Sequence, residues 1–81
     1  MPGKPMSREA RMALPPHERL PPRAREVLKL LGAGWRPHQI ARQMGVAQST
    51  VSTYRALIRD LAELKNDREI VYYCWTQGLL P

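Results

Sequence analysis

Between residues 37 and 63 the chain reads PHQIARQMGVAQSTVSTYRALIRDLAE, two apolar-periodic runs divided by one glycine. No other stretch limits the fold as strongly. Ile40, Ala41 and Met44 share one face of a short helix opened by Pro37, and Gly45 stands where a helix stops in a left-handed residue. At about 100° per residue, the next run places Val51, Tyr54, Ile58, Leu61 and Ala62 on a single side. A short helix, a glycine-containing turn ("GVAQ") and a longer helix form the helix-turn-helix pattern, whose second helix suits a DNA major groove. Structural bundles also contain helix pairs of this kind, so the outward face of the longer helix has to decide.

The flanking sequence predicts two more helices. Pro22 is a favoured first helical residue, and Val27, Leu28, Leu30 and Leu31 build an apolar face that ends at Gly32 and Gly34. Asn66 with Glu69 forms a capping pair ahead of Ile70, Val71 and Cys74, and Gly78 ends that run. Trp35 with Ile40, and Val46 with Val51, occupy the two positions of a hydrophobic staple. The expected helices therefore cover about 22–33, 37–44, 48–63 and 67–77, with no strand: an all-α, four-helix domain over residues 21–81. Ahead of it, residues 1–20 read as a flexible, basic, proline-rich arm with a short helix near 7–13 behind Ser7.

Charge narrows the partner. With 81 residues, 13 Lys and Arg against 7 Asp and Glu, and a net charge of +6, the chain favours a polyanion. Residues 1–35 carry seven basic and three acidic groups (+4) and residues 36–65 five and two (+3), while 66–81 are at −1. The tail thus serves something other than charge attraction. No stretch approaches the roughly 20 apolar residues of a membrane span, and the N-terminus lacks the apolar run of a signal peptide. A soluble, cytoplasmic protein with no membrane partner is expected. The single cysteine, Cys74, has no internal disulfide partner and no metal-ligand spacing to His17 or His38, so it reads as a packed structural thiol. One cysteine, two histidines and no convergent carboxylates supply no nucleophile, base or metal set, so neither an enzyme nor a cofactor is expected.

On the longer helix, Ser49, Ser52, Thr53 and Ala56 lie opposite the core side, with Arg55 and Arg59 on one flank. Solvated helix faces usually carry Glu and Lys; this one has no acid from 47 to 59. Small side chains allow a helix to approach base edges, and flanking arginines can reach backbone phosphates.

From "LPPRAREVLKLLGAG" through "PHQIARQMGVAQSTVSTYR" to "NDREIVYYCWTQGLLP", residues 20–81 resemble the LuxR/FixJ/NarL/GerE-type DNA-binding domain. The pieces "PRAREVL", "IARQMGV", "STVSTYR" and "EIVYY…GLL" stand in that family's order and spacing. Sigma factor region 4 shares the first three pieces and lacks the fourth helix. The resemblance implies a transcription regulator that binds double-stranded DNA, with base contacts from Ser52, Thr53 and Ala56. It also implies phosphate contacts from Arg42, Gln48, Ser49, Thr50, Arg55, Arg59 and Lys65.

Some positions depart from the family. Ser52 often stands as lysine there, and Ala56 offers only methyl contact, so specificity is expected to lean on DNA shape or on the N-terminal arm. Pro21, Arg36 and Ala47 replace the usual Ser or Thr caps, each at a cost on the order of 1 kcal/mol. Glu63 replaces a glycine, with the recognition helix expected to run a turn longer.

In the family the fourth helix is a dimer surface, which sets two recognition helices about 34 Å apart. Filling its inner face with Ile70, Val71 and Cys74 leaves Tyr72, Trp75 and Thr76 outward, unless Trp75 folds back on the core. Tyr72 occupies a position that is often basic. Aromatics of this kind suit a protein interface, with a homodimer first in view. The chain shows no receiver or sensor domain, so control through its amount or through another protein is expected. Alternatives are an interaction protein that pairs with a LuxR-type regulator, and, more weakly, a sigma region 4-like module that contacts RNA polymerase.

Overall fold

The computed structural model describes residues 13–79. The helix expected near 7–13, and with it most of the N-terminal arm, lies outside them. A 3₁₀ turn, Pro16–Arg19, precedes four α-helices: α1 Pro22–Gly32, α2 Pro37–Met44, α3 Gln48–Ala62 and α4 Asp67–Gln77. Among the described residues there is no strand. The domain is all-α.

α1 is the central strut. It packs against both α3 and α4, while α2 packs on α3 and α1. Val27, Leu28 and Leu31 of α1 meet Ile40 and Ala41 of α2, Val51 and Ile58 of α3, and Ile70 and Cys74 of α4 in one core cluster. Leu30, Met44, Tyr54 and Leu61, expected inside, border this cluster half-buried. Apolar side chains on one stripe of each helix bury themselves together because none can hide its stripe alone.

All four helices close by the same hydrogen-bond motif, in which an amide just past the end reaches a carbonyl one turn back. The bonds are Trp35 to Leu30, Val46 to Ala41, Leu64 to Arg59 and Leu79 to Cys74, between 2.8 and 3.0 Å. Such an ending needs a left-handed residue. Gly45 supplies it at φ 69° after α2. After α3 the same position is Glu63, at φ 55°. The extra turn of helix expected beyond it does not form, because the left-handed backbone stops α3 at Ala62.

Order also begins earlier than Pro22. The 3₁₀ turn lies against α3, Leu20 is 4% exposed in the core, and the Arg19 guanidinium donates to the Leu61 carbonyl at 3.4 Å. The Tyr73 hydroxyl accepts the His17 amide at 3.2 Å and sits 3.1 Å from His17 Nδ1. Residues 16–20, read from sequence as part of a flexible arm, are instead a strap. Pro16, with Pro15 ahead of it, sets the backbone, and Leu20 supplies the apolar anchor.

Candidate nucleic-acid interface

Apart from Lys65, the residues singled out from sequence for DNA contact lie on α2 and α3. α3 starts at Gln48 without help from a side chain, since Ala47 offers no acceptor. Its hold on the molecule comes from Val51 and Ile58, both almost fully buried. With those two turned inward, the helical period turns Ser49, Ser52, Thr53 and Ala56 to solvent, and all four are exposed.

The chemistry of this face is specific. The Thr53 hydroxyl donates to the Ser49 carbonyl one turn back, at 3.0 Å. Its proton is therefore occupied, and outward it offers lone pairs and a methyl group. Ser52, at the centre of the exposed face, keeps a short hydroxyl that can donate or accept.

Cations surround the face. Arg42 on α2 is exposed, as are Gln48 and Lys65, while Thr50, Arg55 and Arg59 are half-buried. Between Glu26 and Asp60 the chain has no acid at all, so α2, the turn and α3 as far as Arg59 contribute no carboxylate of their own to this surface. Arg55 has a partner that sequence spacing did not suggest: its Nε lies 3.3 Å from Asp67 Oδ1, on the first residue of α4. Arg55 and Asp67 belong to different helices, and no periodicity links them. The Lys65 amide donates to Glu69 Oε1 at 2.7 Å, which fixes the chain just ahead of α4.

The absent caps are partly replaced. Ahead of α2, Gln39 Oε1 accepts the Arg36 amide at 2.9 Å, half of a capping box. Pro21 and Ala47 have no comparable side-chain bond.

Tyr72 is 71% exposed and Trp75 66%, so Trp75 does not fold back on the core. The Thr76 hydroxyl donates to the Tyr73 carbonyl at 2.9 Å and stays on the same outer side. Cys74 is buried, and its thiol lies 3.4 Å from the Leu28 carbonyl, to which it donates. Burial pushes that thiol above its usual range, so it stays protonated and packs as a small apolar group. Burial also raises the Tyr73 phenol, against the opposing bond from the His17 amide.

Among the described residues, no group of three or more His, Cys, Asp or Glu could hold a metal ion. No helix is long and apolar enough to cross a membrane.

A short helix, a glycine turn and a longer helix with small outward residues and no acid before Asp60, packed with two further helices, define a helix-turn-helix domain. Over residues 18–74 the chain matches the GerE family model, described as bacterial regulatory proteins, luxR family, and it belongs to that family. The domain is thus a DNA-binding regulatory domain, whose partner is double-stranded DNA, from a family of regulators and not of enzymes. No curated protein matches the chain, and no solved structure does.

Proposed function

We propose that this protein regulates transcription by laying α3 in a DNA major groove as a dimer joined through α4. The observation that carries this reading is the exposed face of Ser49, Ser52, Thr53 and Ala56 within a stretch of chain that has no acid between Glu26 and Asp60. A helix can touch base edges only where its side chains are short, and a phosphate-flanked groove admits it only where carboxylates are missing. Ser52, Thr53 and Ala56 face the bases. With its proton held by Ser49, Thr53 accepts from an exocyclic amine of adenine or cytosine, and Ala56 meets a thymine methyl. Arg42, Gln48, Ser49, Thr50, Arg55, Arg59 and Lys65 reach the phosphates on either side.

Tyr72, Trp75 and Thr76 form the dimer surface. Two large, exposed aromatics one turn apart are what an interface centre uses. The same feature favours a second reading, in which α4 pairs with another regulator of this type and this chain redirects it. Either way the protein works on the bacterial chromosome, in the cytoplasm.

Two experiments test the reading. Selection from a random duplex pool should yield a two-fold symmetric site, and Arg59→Ala should weaken every sequence alike while flattening the salt slope by about one. Weak binding without selection would overturn direct DNA reading. In sedimentation, Trp75→Ala should weaken self-association with helicity intact; a variant that dimerises normally would remove α4 from the interface.

A further inference from the structure

α3 and α4 both lean on α1, and the two have little direct packing with each other. What joins them is charge: Arg55 Nε and Asp67 Oδ1 at 3.3 Å. Asp67 thus sets a carboxylate against the side chain of a member of the phosphate-facing set. Its position is secured from its own side. As the first residue of α4 it sits at the positive end of that helix, where a carboxylate is favoured, and Asn66 and Glu69 hold the surrounding turn.

The pair is at the surface. The Arg55 side chain is 27% exposed and that of Asp67 52%. A water-accessible pair of this kind is weak enough for a phosphate to break. It still matters to a polyanion. An arginine that already faces a carboxylate brings little net charge to DNA and displaces few counterions, whereas one released from it counts in full.

We propose that Asp67 competes with DNA phosphate for Arg55, and in doing so limits the sequence-independent part of DNA affinity. The inference rests on the placement of α3 in the groove. In the free protein the carboxylate occupies Nε; on DNA a phosphate oxygen takes the guanidinium, and Asp67 is returned to water beside a polyanion. Binding therefore proceeds against the loss of one internal ion pair. Replacing the carboxylate with a neutral group removes that loss and frees a full positive charge.

The test is a salt titration of the full chain on a random-sequence duplex, with wild type, Asp67→Asn, Arg55→Ala and the double variant. Asp67→Asn should bind about threefold tighter near 0.1 M salt, with a slope steeper by up to about 0.9. In the Arg55→Ala background, Asp67→Asn should change nothing. Asp67→Ser is a second neutral replacement suited to a helix start and should behave as Asp67→Asn does; melting curves show that each variant is folded.

Weaker binding by Asp67→Asn would mean that the carboxylate orients Arg55 for phosphate, and would overturn the proposal. So would unchanged binding, or equal tightening with and without Arg55, which would mark a long-range charge effect. The two levels separate cleanly. If wild type selects a site and Asp67 is silent, only this inference falls; if wild type binds no duplex, the groove reading falls with it.

Discussion

Helices α3 and α4 are both anchored in the core, but only α4 is also closed at its start by a side-chain cap. α4 is closed by its own neighbours: the Asn66 side chain accepts the Glu69 amide at 3.0 Å, Glu69 accepts the Lys65 amide at 2.7 Å, and Gly78 ends the helix at φ 67°. α3 has Ala47 at its start, Ser49, Thr50, Ser52 and Thr53 in its first two turns, and Glu63 strained at its end. Hydroxyl residues are weak helix formers, and a non-glycine residue in the left-handed region costs about 1–2 kcal/mol. With no side-chain cap, α3 depends on the core alone, through Val51 and Ile58. A face of small polar residues is poor material for an isolated helix, so tertiary packing offsets what local chemistry lacks. α4 buries Ile70 and Cys74 and leaves Tyr72 and Trp75 in solvent.

The contrast can be broken most sharply at Ile58. Ile58→Ala opens a cavity where α3 meets the core, and should cost about 2–5 kcal/mol, lowering the melting temperature by more than about 10 °C. A loss below about 1 kcal/mol would show that α3 is locally self-sufficient after all.

Caps test the other half. Asn66→Ala should cost about 1 kcal/mol in thermal melts, since it removes the acceptor of the Glu69 amide. Ala47 has extended backbone (φ −71°, ψ 153°), as an N-cap requires, so Ala47→Ser should return a similar amount to α3. An unchanged melting temperature for Ala47→Ser would mean that α3 starts elsewhere; a neutral Asn66→Ala would remove the claim that α4 is closed locally.

The smallest expected effect lies at Glu63. Glu63→Gly relieves the left-handed strain and adds unfolded-state entropy, for a net gain of roughly 0.5–1 kcal/mol. Destabilisation there would show that the Glu63 side chain makes a contact worth more than the strain.

These same features show which parts of the molecule were legible in advance. Helix positions followed from apolar spacing and from Pro22, Pro37, Gly45, Asn66 and Gly78, because these signals act within a few residues along the chain. The exposure of Ser52, Thr53 and Ala56 followed from the burial of Val51 and Ile58 on the same helix. Glu63 misled, because a glutamate signals helix continuation, whereas the Leu64 amide bonded to the Arg59 carbonyl forces the stop. The strap at residues 16–20 was missed for a related reason. Prolines argue against regular structure and say nothing about whether Leu20 will find a pocket.

What the sequence by itself determined is the set of local decisions: four helical segments, a glycine turn between the second and third, and one acid-free polar face. Each depends on the conformational preference of a residue or on a period of 3.6, which act through neighbours in the chain. Only the tertiary structure decided that Arg55 faces Asp67, that His17 and Arg19 bind Tyr73 and the Leu61 carbonyl, and that Trp75 stays in solvent. Those outcomes depend on how α1 spaces the helices packed around it, and two side chains can meet across that spacing with no trace of the meeting in their order along the chain.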